Sequence, residues 1–294
     1  MAAITNTTMT ADITIAAKEI DFVTRFNRNW DSLREIMGIM NPVRKAPGTK
    51  IVASKAKVTL QDGEVAEGEE VPLSKATVVP VTYEDIVLRK YRKAVTAEAV
   101  AKYGAAVAVQ KTDDAFLVEL QTVVLDEFYA FAKTGTLKGE EATFQMAVSM
   151  AVHKAKDKFK KMRLDHSKIV AFANTLDVGR YLGAAQIDAQ KENGVEYLKN
   201  FLGADVLIIT SEIPEGMVIA TPSENLVLYY IDPAEGDFKE LGLHYYTGDG
   251  ETNLIGIRKE GNYERVMGET HALMGLKLFA EYIDGISVIS IAAG

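Results

Sequence analysis

The sequence predicts an α+β fold, with long helices first and a compact sheet-rich region after them. Three observations carry that prediction. Phe116, Leu117, Leu120, Val124, Phe128 and Phe131 are spaced by one, three, four, four and three residues, which is one face of a helix over 112–134. Residues 47–83 alternate small, basic and β-branched side chains around Gly- and Glu-rich turns, an extended pattern with few large apolar residues. Further on the period changes. Ile169 to Ala173 and Val206 to Ile209 are short apolar runs of strand length, read as buried strands.

The helix over 112–134 is the element the rest is organised around. Asp113 and Asp114 stand at its start, where carboxylates suit unpaired N–H groups and the positive dipole end. Lys133 and Gly135 close it, the glycine as a residue able to turn left-handed. About 22 residues at roughly 1.5 Å each make a rod of about 33 Å.

In chain order, residues 1–15 are short and polar without a period, and are expected to be loosely attached. Val23, Phe26, Trp30, Leu33, Met37 and Met40 then form a heptad-like stripe on a helix over 17–40, which ends before Asn41-Pro42. That helix must dock, either on its own domain or on a neighbouring subunit. The extended stretch that follows is too poor in core residues to be stable alone. Pro72 and Pro80 suit exposed edges. The hairpin is expected to project and be held by another molecule, a mobile surface loop being the plainer alternative.

Residues 83–103 read as helical or turn-like, and 97–108 is rich in helix-forming alanine. A second long helix is expected over 140–162. Next come a strand over 168–173, a helix from Asn174 to Leu182, a short helix over 196–201, and strands over 204–209, 216–220 and 225–231. A strand pair over 242–247 and 254–259 turns around Gly248-Asp249-Gly250. A last helix over 270–282 and a buried strand over 286–291 end the order.

Composition narrows the function classes. With 294 residues, 48% of them hydrophobic, the chain supports a real core. A net charge of −8 disfavours a nucleic-acid-gripping surface on average. The basic run Lys154, Lys156, Lys158, Lys160, Lys161, Arg163 and Lys168 alternates with Ala, Phe and Met, and reads as a solvated helix face. There is no cysteine, which excludes disulfides, Cys-ligated metals and thiol nucleophiles. No secretory leader is expected, and no apolar stretch approaches the ~18 residues of a membrane span.

Chemistry is sparse. His153, His166, His244 and His271 are scattered, with no second ligand at helical spacing. No dinucleotide fingerprint, phosphate loop or nucleophile elbow occurs. Asp249, Glu251, Asn253 and Glu260 imitate a calcium loop at positions one, three, five and twelve, but Leu254 stands where the sixth place needs glycine. A β-turn is the reading preferred there. No catalytic, cofactor-binding or metal residue is predicted, and no cofactor.

The order of parts resembles the major capsid protein of tailed bacteriophages, the fold shared with herpesvirus capsid floors. Val71-Pro72-Leu73 through Val81-Thr82-Tyr83 is similar to the return strand of that family's extended loop, and 113–134 to its spine helix. Val170-Ala171-Phe172-Ala173-Asn174 is similar to the strand that opens the axial domain, 207–222 to its central strands, and 271–289 to the closing helix and strand. The resemblance implies an N-terminal arm (1–47), an extended loop hairpin (48–84), a peripheral domain (85–165 and 241–270) with the spine helix over 112–134, and an axial domain (166–240 and 271–294). It implies a structural, non-enzymatic subunit that assembles into hexamers and pentamers of an icosahedral or prolate head around double-stranded DNA. Its partners would be copies of itself, met through hairpin 48–84 and arm 16–40, with a separate scaffold protein and a portal. DNA would be enclosed without sequence-specific binding, no membrane is involved, and the location would be the virion. Only about 15 residues precede the arm helix, so a separate scaffold or none is expected. Some relatives crosslink a loop lysine to an asparagine. Lys50, Lys55, Lys57 and Lys75 lie in the hairpin, and Asn253 and Asn262 in later strands, but one sequence does not pair them and no crosslink is predicted. An encapsulin-type compartment shell, which shares the fold, and an α+β enzyme with an unrecognised site are the alternatives.

Overall fold

The computed structural model describes residues 42–47, 52–66, 69–82, 86–165, 168–185, 190–192, 195–234, 236–247 and 254–292. The helix expected over 17–40, with Trp30, and the turn at Gly248-Asp249-Gly250 lie outside the described residues. The fold is α+β, as predicted.

Two mixed sheets make the body. One contains β1 (Val43–Arg44), β4 (Leu88–Thr96), β11 (Leu226–Ile231), β12 (Tyr246–Thr247), β13 (Ile255–Asn262) and β14 (Met267–Ala280). The other runs in the order β5 (Leu137–Glu141), β15 (Ser287–Ile291), β10 (Met217–Pro222), β6 (Ile169–Asn174), β9 (Ala204–Thr210), β8 (Val195–Phe201) and β7 (Gln190–Glu192). A hairpin of β2 (Val52–Thr59) and β3 (Lys75–Thr82) forms a third sheet that no other described strand joins. The helices are α1 (Ala97–Tyr103), α2 (Thr112–Ala132), α3 (Phe144–Lys161), α4 (Thr175–Ala185) and α5 (Gly236–Glu240).

The central strands explain their own composition. β6 is buried at every position. Val170 and Phe172 point to the α2 side, where they meet Phe128, Tyr129, Ile208, Ile219 and Val288. Ile169, Ala171 and Ala173 point to the α3 side, against Ala147, Val148, Ala151 and Val152. Burial on both faces removes the hydrophobic alternation and leaves an apolar run. Phe128, Tyr129 and Phe172 meet edge to face at centroid distances of 5.0, 5.4 and 5.9 Å. That trio fastens the long helix to the seven-stranded sheet, and such pairs add to the burial term itself.

Several local expectations are corrected. Residues 270–282 are not a helix: most of them belong to β14, which pairs with β11, β13 and β4. Its Ala-, Leu- and Met-rich composition favours helix, but partners on both edges and burial of Ala272, Leu273 and Met274 override that propensity. Residues 196–201 are likewise strand, paired antiparallel with β9. The 83–103 stretch holds β4 before α1. The second long helix starts at Phe144 rather than 140, because 137–141 pairs in parallel with β15 and the Thr143 side chain caps by accepting from the Met146 N–H. Asn174 caps α4: Oδ1 accepts from the Leu176 N–H at 2.8 Å as the helix begins, while its amide donates to the Ile213 carbonyl at 2.6 Å.

Both ends of α2 differ from expectation. Asp113 and Asp114 cap nothing, because a π-turn over Ala106–Lys111 runs straight into the helix. The Thr112 hydroxyl closes that join by donating to the Ala108 carbonyl at 2.7 Å. At the other end Gly135 is not left-handed; the residue is needed for closeness. A Cβ there would stand 2.6 Å from both Cγ2 and the carbonyl oxygen of Ile286. Gly135→Ala is therefore expected to cost about 1–3 kcal/mol through overpacking against backbone. A denaturant melt that leaves the midpoint unchanged would show that this approach is slack.

Candidate functional site

The described residues assemble no catalytic constellation. They do show three features with functional content: a clamp on the long helix, a polar cluster on the opposite sheet face, and a hairpin that stands apart.

The clamp follows from register. Thr270 of β14 lies opposite Lys93 of β4 on one side and Lys259 of β13 on the other. Three aligned positions on adjacent strands share a face. The Asp113 carboxylate of α2 faces that row. It accepts from Lys93 Nζ at 2.6 Å, Lys259 Nζ at 2.7 Å and the Thr270 hydroxyl at 3.0 Å. Lys93 also donates to the Thr112 hydroxyl at 2.6 Å. Burial pushes the Asp113 carboxyl up, but the hydrogen bonds of Lys259 and Lys93, the Lys93 charge and the Thr270 hydroxyl outweigh it and hold the group below its ordinary value. About four turns further along the helix, Arg89 of β4 and Glu127 of α2 form another ion pair. Beside the clamp lies a cavity of about 620 Å³, walled by Val95, Val100, Val109 and Val266 among others.

On the other face of the same strands, Glu269 and His271 stand two residues apart on β14, and Glu260 of β13 pairs in register with Glu269. Their ligand atoms lie within 4.8 Å of one another. Sequence reasoning missed this cluster because it placed His271 on a helix. Read as a strand, Glu-x-His puts both side chains on one face, and the β13–β14 hairpin brings Glu260 across.

The remaining sequence-marked residues are dispersed. His153 is exposed on the flank of α3 and bonds the Ser149 carbonyl at 2.7 Å. His244 is exposed and precedes β12 instead of alternating within a strand. His166, and Asp249, Glu251 and Asn253 of the calcium-like loop, lie outside the described residues. In the basic run, Lys154 donates to the Lys138 carbonyl, Lys156 to the Gly203 carbonyl at 2.6 Å, and Lys158 pairs with Asp284 at 2.7 Å. These cations hold α3 to its own surroundings. Asn262 is engaged within its turn, donating to Glu269 and accepting from the Arg265 N–H.

The hairpin is antiparallel from Val52↔Thr82 to Thr59↔Lys75. From Val58 to Val78 the described residues are almost wholly exposed: Leu60 is 78% accessible and Leu73 93%, with Val58 and Val71 also exposed. Monomeric surfaces tolerate single exposed apolar residues, but a run of them on a stalk without a core is a different matter.

No protein-family model matches the sequence, and comparison with curated proteins gives no match. Solved structures do match. The chain of the mature capsid of bacteriophage PhiM1 superposes with a TM-score of 0.61, covering 96% of this chain and 93% of that one at 7% identity. A chain of Gordonia phage Cozz gives a TM-score of 0.61 over 96% and 91% at 10% identity. The fold is the phage major-capsid fold. The holo encapsulin complex from Synechococcus elongatus carries it too, at a TM-score of 0.50 over 95% and 91% with 9% identity. At such identities little beyond burial pattern and element order is shared, so the capsid fold emerges from superposition while sequence comparison is silent. Among the described residues no helix is long and apolar enough to cross a membrane.

Proposed function

We propose that this chain is a phage major capsid protein, a structural subunit that assembles with copies of itself into hexamers and pentamers of a head enclosing double-stranded DNA. The observation that carries the reading is the conjunction of the capsid fold over nearly the whole chain with a hairpin on which Val58, Leu60, Val71, Leu73 and Val78 are exposed among the described residues. Subunits that repeat around closed rings supply each other's missing burial through heterologous contacts. In this reading 1–47 is the arm, 48–84 the extended loop, 85–165 and 241–270 the peripheral domain, and 166–240 with 271–294 the axial domain, with β14 and α3 bridging the two. The working location is the virion. A scaffold protein and portal are the expected partners, and the subunit needs no catalytic activity of its own. An encapsulin-type shell is the second reading, favoured by the Synechococcus neighbour.

Electron microscopy of the purified protein tests the proposal. Shells or capsomers are expected, alone or with a co-expressed scaffold. Only monomers or dimers at high concentration under both conditions would overturn it. Particles that enclose a specific protein cargo, from cells lacking portal and terminase, would favour the second reading.

A further inference from the structure

The polar cluster on the outer face of β13 and β14 has the geometry of a divalent metal site, and we propose that Glu260, Glu269 and His271 bind a zinc-class transition ion. The ligand chemistry suits it: one imidazole nitrogen and two carboxylate oxygens, with no thiolate needed. The spacing suits it as well. His271 Nε2 lies 3.2 Å from Glu260 Oε1 and 3.3 Å from Glu269 Oε2. An ion bonded at about 2.0–2.2 Å to three such atoms holds them roughly 3.3–3.6 Å apart at tetrahedral angles.

His271 Nε2 is buried and lies between the two carboxylates, so the three groups converge on one point. An ion seated between the three groups replaces the contacts of His271 with the two carboxylates by metal–ligand bonds. The Glu269 side chain is 6% accessible and already oriented, since Oε1 accepts from Asn262 Nδ2 at 3.0 Å and leaves Oε2 for the ion. That is the outer hydrogen bond that fixes a carboxylate ligand in established metal sites.

The competing cations are Arg92, at 3.9 Å from Glu269, and Arg258, at 3.8 Å from Glu260. Both distances exceed those of charge-assisted hydrogen bonds, about 2.7–2.9 Å. Arg258 is instead drawn to the His244 carbonyl at 3.2 Å. Both guanidinium groups are partly exposed. Glu260 is half exposed, so the cluster is open to solvent on that side. The bound ion would staple β13 to β14 at the hairpin that also carries the Lys259 and Thr270 arms of the clamp.

The test is a zinc(II) titration of the full chain by chelator competition, with thermal melts in zinc and in EDTA. One saturable equivalent and a zinc-dependent rise in melting temperature are expected for the parent. H271Q and E260Q should each weaken binding by at least about tenfold and remove the thermal shift, with melting in EDTA close to the parent's. Cobalt(II) should give a visible absorption band that both variants lose. Absence of saturable binding, or binding unchanged in both variants, would overturn the proposal; the latter assigns the zinc to His153, His166 or His244. Should H271Q fail to fold, E260Q alone decides, because the Glu260 side chain is half exposed and its loss leaves no buried charge.

Discussion

Replacing residues 60–74 by a two-residue Asn-Gly turn is expected to yield a subunit that folds as the parent does but, in the proposed shell-forming role, no longer assembles. The design rests on register. Thr59 lies directly opposite Lys75, so a two-residue turn closes the ladder without moving either strand. The removed stretch includes Leu60, Val71 and Leu73, all well exposed, so the subunit's own core loses nothing. In an assembly the same side chains contribute differently. Burying each against a neighbour is worth about 1.5–3 kcal/mol, repeated at every copy. Circular dichroism melts should superimpose on the parent's, while sedimentation and electron microscopy show no shells. Normal shells from this variant would remove the hairpin from the assembly contacts. A large drop in melting temperature would instead place it in the subunit's own fold.

Asp113→Ala is expected to destabilise the subunit by about 3–5 kcal/mol, the usual cost of stripping one partner from a buried charge group. Asp113 and Lys93 are only 11% and 12% accessible, so water does not take over the lost bonds. Lys93 would keep the Thr112 hydroxyl but no counter-charge nearby in the clamp. A double variant, Asp113→Leu with Lys93→Met, should recover much of the loss, because the desolvation cost goes with the charges. If single and double variants melt alike, the carboxylate matters for shape alone. The pH dependence has a fixed sign. The folded carboxyl titrates below its ordinary 3.8, so the unfolded chain binds the proton first as pH falls. The clamp's contribution is complete above about pH 5 and fades as pH drops through the depressed value. Parent and Asp113→Asn stabilities should converge in that acid range.

The sequence-legible parts are those where burial leaves a one-dimensional trace. The α2 stripe was readable because one helix face is apolar, and β6, β9, β10 and β15 because two-sided burial makes short continuous runs. β14 was not. Its length and its Leu and Met content imitate a helix, and only its pairing partners, β4 and β11 among them, decide otherwise. Gly275 was the available clue: a Cβ there would stand 2.9 Å from Leu88, a closeness that strand packing demands and an exposed helix does not. The missed Glu260–Glu269–His271 cluster follows from the same error, since His271 and Glu269 share a face only on a strand. The clamp was half visible. Asp113 stood out, but its lysines come from strands far away in sequence, so capping was the only role local reasoning could assign.

The placement of β4 has a mechanical consequence. It follows the hairpin in the chain and meets β14 through nine register pairs, from Leu88↔Gly275 to Thr96↔Met267. Whatever part of a tug on the hairpin runs along β4 is shared by all nine at once, as shear, instead of opening them in turn like a zipper. Since β14 is held by β13 on its other edge and continues into pairing with β11, the load spreads across the sheet. In the proposed role, a shell wall under internal pressure would pull on its subunits in this manner, and an element whose bonds yield together is the kind that resists it.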